Sequence, residues 1–230
     1  MNTKKIIFSL VFVFALLFGL NINSKAAGDK YTADDFEIVG DTVYGFSKSG
    51  VQKLKRNRNV VLPSKSKENV DLKKIASFAF VYNKSSAIDE YTQREGENGE
   101  VNNLDVDGNE IKKLGEDFKQ LDIESVEIPE GYTYIGQDAF EENSNIKSVN
   151  LPNSIIKISD YAFAHLSLKT IKLPDNLEFL GEQVFFDNQI EGKLILPKNL
   201  TNLGERSFKS NQITELEFNS EKLEIIKEQA

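Results

Sequence analysis

A short pattern returns along the C-terminal half of the chain at almost constant spacing. "LPDNLEFLGEQVF", which ends at Phe185, reappears as "IPEGYTYIGQDAF", ending at Phe140, and as "LPKNLTNLGERSF", ending at Phe208. Successive phenylalanines and successive prolines in this half are each 22 or 23 residues apart. These repeat markers are Phe118, Phe140, Phe163, Phe185 and Phe208, together with Pro129, Pro152, Pro174 and Pro197. Several markers that keep one period predict a repeat architecture in which each unit packs on the next.

The residue types within one unit predict a short strand followed by a tight turn. Before each proline the apolar residues alternate, as at Ile171 and Leu173, which is the period of a strand with one inward face. Proline has no N–H group to donate, so it tends to end the strand. A later glycine marks a turn position where a side chain is unwelcome or φ is positive, as at Gly136, Gly181 and Gly204. One such coil cannot bury its own apolar face, so we expect the coils to stack into a solenoid.

The units "LKTIKLPDNLEFLGEQVF" and "IKSVNLPNSIIKISDYAF" resemble the BspA-type leucine-rich repeat of bacterial, internalin-like surface proteins. The consensus of that repeat runs L-x-x-I-x-L-P-x-x-L-x-x-I-G-x-x-A-F-x-x-C/N. The resemblance implies an α/β repeat fold, a leucine-rich repeat solenoid rich in short β-strands. Its last consensus position falls on Asn143, Leu166, Asn188 and Asn211. We expect the side-chain amides at this position to cap the backbone of the next coil. The coil with Leu166 has no such amide and must do without this cap.

The first 26 residues are typical of a secretory signal peptide. Lys4 and Lys5 precede an apolar run from Ile6 to Leu20, and Ser24-Lys25-Ala26 supplies a small-x-small cleavage site. The run has fifteen residues, whereas a membrane-spanning helix needs about 20, so an uncleaved anchor is the less favoured alternative. The chain contains no cysteine, so it has no disulfide framework. These features predict a secreted or surface-displayed bacterial protein with no membrane span after signal cleavage.

Residues 27–59 are predicted to cap the first open edge of the solenoid. "FEIVGDTVYGF" is typical of a hairpin that turns at Gly40-Asp41, and "SKSGVQKLKRNR" of a short helix with Val51 and Leu54 inward. The basic side chains of this helix allow contact with anionic glycans or teichoic acid, although a solvated helix face is favoured in an acidic protein. They are Lys53, Lys55, Arg56 and Arg58.

Residues 60–113 are predicted to form an irregular first repeat with an acidic loop insertion. Pro63 and Phe80 are 17 residues apart where later units have 11, which indicates a six-residue bulge. The following "IDEYTQREGENGEVNNLD" is polar and acidic, as expected of an exposed loop. Residues 114–230 then hold the regular repeats of 22 or 23 residues, and the pattern stops within the last one, so we expect the natural protein to be longer.

Charge and residue content disfavour several classes of function. The formal net charge is −8, and removal of the three lysines in the signal peptide makes it about −11, which disfavours nucleic acid and anionic membrane as partners. His165 is the sole histidine, and no G-x-S-x-G motif accompanies it, so a hydrolase triad is disfavoured. Zinc is disfavoured as well, because one histidine and no cysteine cannot supply the usual four ligands. We therefore expect a chain that is not an enzyme and holds no cofactor.

The segment "NLDVDGNEIKKL" partly matches a calcium-binding loop. Asn103, Asp105, Asp107 and Gly108 fall on positions 1, 3, 5 and 6, but Leu114 stands at position 12, where a bidentate glutamate is needed. Asp-Gly at positions 107–108 is also a strong hairpin signal, and the hairpin interpretation is favoured.

The predicted binding surface is a column of outward-facing strand residues from successive coils. It consists of Glu127, Asn150, Lys172, Ile195 and Glu217, flanked by Ser125, Ser148, Thr170, Lys193 and Glu215. Repeat proteins commonly bind through such extended surfaces. This column has mixed charge and few aromatic residues, however, so a merely solvated face remains an alternative.

The resemblance implies a surface protein of the virulence-associated kind, which attaches to host matrix proteins, host cells or other bacteria. Its partner would be a host or bacterial surface protein or glycan, bound by a monomer. Two alternatives are a targeting array for a secreted hydrolase whose catalytic domain follows residue 230, and a passive surface stalk.

Overall fold

The computed structural model describes residues 30–81, 84, 87–88, 104–116, 123–219 and 222–227. The predicted signal peptide, most of the acidic loop, Asn103 and Phe118 lie outside the described residues. Within them the chain forms a short 3-10 helix (Ala33–Asp35), the α-helix α1 (Lys48–Leu54) and thirteen strands, and residues 84, 87 and 88 are also helical. The strands are β1 (Phe36–Val39), β2 (Thr42–Phe46), β3 (Asn59–Val61), β4 (Lys74–Ile75), β5 (Ser125–Glu127), β6 (Tyr134–Ile135), β7 (Ser148–Asn150), β8 (Lys157–Ile158), β9 (Phe179–Leu180), β10 (Glu191–Leu196), β11 (Asn202–Leu203), β12 (Gln212–Phe218) and β13 (Ile225–Ile226).

The strands stack into a leucine-rich repeat solenoid, which confirms the predicted fold. One sheet has eight strands in the order β1-β2-β4-β6-β8-β9-β11-β13, and all its neighbours after the antiparallel β1–β2 pair are parallel. The second ladder is divided into β3-β5-β7 and β10-β12, also parallel, and we call these five the front strands. Each coil contributes one rung to the core between the ladders.

A column of stacked phenylalanine rings forms the centre of this core. The rings of Phe80, Phe140, Phe163, Phe185 and Phe208 follow one another at centroid distances of 5.1 to 5.5 Å and interplanar angles of 6 to 13°. Burying one such ring contributes roughly 1.5–3 kcal/mol, and offset stacking adds about 0.5–1.5 kcal/mol per pair. The repeated phenylalanine is therefore the main apolar wedge of each coil.

The predicted marker Phe118 lies outside the described residues, and the described ring before Phe140 is that of Phe80. Phe80 stacks directly on Phe140, while β4 pairs with β6 and β3 pairs with β5. The described residues 104–116 are therefore part of an insertion between the coil of Phe80 and the coil of Phe140.

The repeated glycines are needed for close packing and not for a positive φ. A Cβ atom at Gly136 would lie 2.4 Å from the Ser77 nitrogen, and one at Gly204 would lie 2.2 Å from the Gly181 oxygen. The left-handed residue comes two positions later in each coil, with φ of 53° at Asp138, 53° at Gln183 and 54° at Arg206. The prediction that a side chain is unwelcome at these glycines is confirmed, and the alternative of a positive φ does not apply to them.

The asparagines at the last consensus position of the repeat cap the preceding coil, and the prediction that they cap the next coil is wrong. The Asn188 side-chain nitrogen donates to the carbonyl of Phe163 at 2.9 Å, and its oxygen accepts from the Leu168 amide at 3.1 Å. Asn211 repeats this arrangement one coil later, with Phe185 and Ile190 as its partners. The turn after each phenylalanine leaves backbone carbonyls without backbone partners, and the asparagine side chain that follows donates to them. This side chain therefore points to the preceding coil.

The N-terminal described residues form the hairpin and helix at the end of the eight-stranded sheet. β1 and β2 are joined at Gly40 and Asp41, and β2 pairs with β4. The Ser47 side chain accepts a hydrogen bond from the Gly50 amide and so caps α1, whose Leu54 is fully buried. At the other end of the array, Leu216, Phe218, Ile225 and Ile226 are exposed. No helix in the described part of the chain has the length and apolar character needed to cross a membrane.

Candidate functional site

The structure places the predicted column on the outside of the front strands. Eight of its ten residues are exposed, and the other two, Ser125 and Glu217, are half-buried. The intervening Val126, Leu194 and Leu196 are buried, so the strand faces are as the sequence predicts. Whether the column binds a partner stays a prediction.

The column is not continuous along the array. Ser125 pairs with Ser148 and Glu127 with Asn150, while Lys193 pairs with Glu215 and Ile195 with Glu217. Thr170 to Leu173, which should join these two ladders, lie outside any strand. The surface therefore consists of two patches separated by the coil that carries Thr170 and Lys172.

The charges of the C-terminal patch are partly compensated within the patch. The Lys193 ammonium lies 2.7 Å from a Glu215 oxygen and 2.6 Å from a Glu217 oxygen. The hydrogen bonds that Lys193 donates to these two carboxylates raise the pKa of Lys193, and the same contact lowers the pKa of Glu217. Because the charged ends of all three side chains are accessible to solvent, the pairs add little to stability, and the three groups together carry one net negative charge.

Sequence analysis missed the first rung of the column. β3 pairs with β5 so that Asn59 lies beside Ser125 and Val61 beside Glu127, and the Ser125 hydroxyl donates to the Asn59 side chain at 2.8 Å. Val61 is exposed and adds an apolar contact to the N-terminal patch. The signal was present in "VVLP", which matches the alternating residues and proline of the later units.

The predicted loop at Asp105 and Asp107 is a hairpin whose carboxylates bind protein donors. Asp105 is buried and accepts from the Ser77 hydroxyl at 2.5 Å and from the Asn109 amide at 2.8 Å. Asp107 accepts from Lys157, from Ser159 at 2.5 Å and from Tyr134 at 2.8 Å. The backbone bridge between Leu104 and Glu110 closes the turn around Gly108. This engagement favours the hairpin interpretation over a calcium loop.

These contacts also shift the pKa of two side chains. Burial acts to raise the pKa of Asp107, but hydrogen bonds from Lys157, Ser159 and Tyr134 outweigh it and hold the pKa below its usual range. Burial, assisted by the charges of Asp105 and Asp107, raises the pKa of Tyr134. Asp107 is therefore a charged anchor that holds the hairpin against β6 and β8.

The remaining predicted residues have structural contacts. His165 has a positive φ of 57° and its Nδ1 lies 3.0 Å from a carboxylate oxygen of Asp187, which is an exposed pair in a turn. In the basic cluster, Lys53 binds the buried carboxylate of Asp35, and Lys55, Arg56 and Arg58 are exposed. Among the described residues there is no group of three or more side chains of the His, Cys, Asp or Glu type placed to hold a metal ion.

Comparison with solved structures shows the same fold. A leucine-rich repeat protein from Bacteroides ovatus is similar, with 19% identity and a TM-score of 0.54 over 81% of this chain and 40% of that one. A T. pallidum leucine-rich repeat protein has 17% identity and a TM-score of 0.47 over 83% of this chain and 82% of that one. A leucine-rich cell surface protein from Faecalibacterium prausnitzii has 15% identity and a TM-score of 0.39 over 83% of this chain and 55% of that one. The chain thus spans less than two thirds of the first and third of these proteins.

Comparison with curated proteins gives no match. The family model for the BspA-type leucine-rich repeat region, in contrast, matches residues 113–230 with six copies of the repeat. These residues make up half of the chain and include the stacked phenylalanines from Phe140 onward and the asparagine caps described above. The chain belongs to the BspA-type leucine-rich repeat family.

Proposed function

We propose that the chain is a secreted or cell-surface protein whose repeats bind other proteins and mediate adhesion to host matrix, host cells or other bacteria. The observation that carries this proposal is the exposure of the column side chains on coils whose apolar residues are already buried. Side chains that take no part in the core can vary without loss of the fold, which is how repeat proteins build binding surfaces. Membership of a family with protein-binding repeats supports the same class of function.

The N-terminal patch is the favoured contact region within the column. It joins Asn59, Val61, Glu127 and Asn150 on three paired strands, and its exposed side chains include an apolar one. In the C-terminal patch Lys193 is already engaged by two carboxylates, so a partner would have to replace both pairs.

The test is binding of the purified chain to immobilised host matrix proteins, host cells and purified bacterial wall over a range of salt concentrations. We expect saturable binding to one protein target, weakened at least tenfold by Glu127→Lys combined with Asn150→Lys. The matched control is Glu178→Lys combined with Asn202→Lys, which makes a similar change of charge on the eight-stranded sheet and should leave binding unchanged. Equal loss in both double variants, or binding to none of the targets, would overturn the assignment of the column.

Secretion is tested separately, by expression of the full chain in a bacterium with an export pathway. We expect the protein in the medium or on the cell surface with its N-terminus at Ala27, after removal of the predicted signal peptide. Retention inside the cell with Met1 intact would contradict this part of the proposal.

A further inference from the structure

The described part of the insertion, residues 104–116, lies across the outer side of the eight-stranded sheet, and we call it the insertion arm. One end is held by the Asp105 and Asp107 contacts and by the Val106 amide, which donates to the Gln137 side chain at 3.0 Å. At the other end, the Glu116 amide donates to the Phe46 carbonyl at 2.7 Å. The buried Lys84 ammonium also binds the carbonyls of Tyr44 and Leu114. The arm is therefore fixed on both sides of β4, to β2 at one end and to β6 and β8 at the other.

A cavity of about 240 Å³ remains between the arm and the sheet. Its floor is formed by outward side chains of three neighbouring strands, since Thr42 pairs with Lys74 and Lys74 with Tyr134. The arm supplies the wall. The lining is completed by Tyr44, Asp105, Asn109, Glu110, Ile111 and Lys112.

Two donors in this cavity are left without a partner among the described residues. The Asp105 carboxylate accepts from the Ser77 hydroxyl, the Asp107 amide and Asn109, so it has no capacity left for a ligand. Glu110 pairs with Lys112 at 3.4 Å. Within the described part of the chain, in contrast, the Lys74 ammonium and the Tyr44 hydroxyl have no hydrogen-bond or ion-pair partner. A ligand that brings an anionic acceptor would satisfy both.

The shape of the cavity limits the ligand further. The Lys112 ammonium lies 6.0 Å from the centroid of the Tyr44 ring, so the ring and the ammonium form one wall that is flat and cationic. The volume is below the range of about 300–1,000 Å³ that holds drug-sized molecules, so it suits one small ring. A sugar offers hydroxyls for the polar lining and a C–H face for the tyrosine.

We propose that this cavity binds the carboxylate-bearing ring of an acidic sugar residue. Its carboxylate accepts from Lys74 and Tyr44, and its ring lies beside the Tyr44 ring. Hydroxyl groups of the sugar reach Thr42 and Asn109. The site lies on the eight-stranded sheet and not on the front strands, so it is separate from the column and does not depend on adhesion through it.

The test is an NMR titration of the full chain with D-glucuronate, D-glucose and acetate. We expect saturable shifts of the Thr42, Lys74 and Asn109 amides with glucuronate, and affinities at least tenfold weaker for glucose and for acetate. Lys74→Gln should weaken glucuronate binding at least tenfold. Lys73→Gln is the matched control, because Lys73 is also exposed but does not line the cavity.

Three outcomes would overturn the proposal. Absence of shifts with glucuronate excludes the ligand class, and equal binding of acetate reduces the site to a general anion site. Equal affinities of the Lys74→Gln and Lys73→Gln variants would place the binding elsewhere. Both lysines are exposed, and the melting temperatures of the two variants should match that of the parent chain, so that a loss of binding is not a loss of folding.

Discussion

The repeat coils from 123 to 219 and the insertion arm are held in place by different interactions. In the coils, nearly parallel rings at 5.3 to 5.5 Å and buried aliphatic residues form one continuous apolar core. The arm contributes few apolar contacts and is held mainly through Asp105, Asp107 and the amide of Val106. The first kind of packing spreads stability over many neighbours, and the second concentrates it in a few polar groups.

This difference predicts how each region responds to change. Apolar stacking is insensitive to pH, and its loss at one coil affects the neighbouring coils because stability in a repeat array is a sum over neighbours. Charged hydrogen bonds depend on the protonation of the carboxylate, and their loss can free the arm without opening the core. The predictions below test this division, from the core outward.

Phe163→Ala should have the largest effect, a loss of about 3–5 kcal/mol in the free energy of unfolding. The ring is fully buried between Phe140 and Phe185, so truncation leaves a cavity in the middle of the stack. Denaturant unfolding measures the change. Phe179→Ala is the control, because this ring is only half-buried and lies under the Lys157 ammonium. Equal losses for the two variants would show that the stack is not the main source of stability.

Asn188→Leu should cost about 1–3 kcal/mol, because the Phe163 carbonyl and the Leu168 amide lose their buried partners. A leucine fits this position sterically, since Leu166 occupies the equivalent place one coil earlier. Asn176→Leu, at an exposed turn position, is the control for the change in composition. If both variants unfold at the same denaturant concentration, the asparagine cap is not stabilising.

The sequence was sufficient to predict the core but not the polar details of each turn. The period and the strand alternation placed Phe140, Phe163 and Leu194 inside, because burial of apolar groups repeats with the coil. The sequence did not show that the Asn188 side chain binds the preceding coil. A side-chain amide can reach carbonyls of the preceding or of the next coil, and only the geometry of the turn decides between them. The positive φ at Gln183 was missed for a similar reason, since residue type there is not restricted to glycine.

The candidate sites were predicted less well than the core. The faces of the front strands are as expected, but the break at Thr170 to Leu173 has no counterpart in the residue pattern, which keeps its alternation there. The insertion arm could not be placed at all, because Asp107 meets Lys157 across 50 residues of sequence without any periodic signal. Ser159 was a partial clue, since it stands where Gly136 and Gly181 stand in the adjacent coils, and its hydroxyl binds Asp107.

Asp107→Asn should release the arm while changing global stability by less than about 1 kcal/mol, because Lys157 is partly exposed and can be hydrated. Hydrogen exchange should become faster at the amides of Val106 and Asn109. Glu110→Gln, on the same arm but in an exposed pair, is the control. Unchanged exchange in the Asp107 variant would show that other contacts hold the arm.

Lowering the pH should release the arm of the parent chain in the same way. The pKa of Asp107 is lowered in the folded state, so its contribution is complete above the unfolded value of about 3.9 and is lost as the pH falls through the folded pKa. Exchange at Val106, corrected for the intrinsic pH dependence, should therefore rise only below that range, and Asp107→Asn should remove the step. A step that persists in the variant would assign it to another carboxylate.

Glu127→Lys combined with Glu217→Lys should have the smallest effect, with no shift in melting temperature beyond that of a surface control. Glu127 is exposed, and Glu217 shares Lys193 with Glu215, so Lys193 keeps one carboxylate partner after the change. A fall in melting temperature similar to that of Phe163→Ala would mean that these side chains face the core and that the strand faces are reversed. An unchanged melt makes any loss of partner binding in this variant attributable to the surface itself, because the coils that present it remain folded.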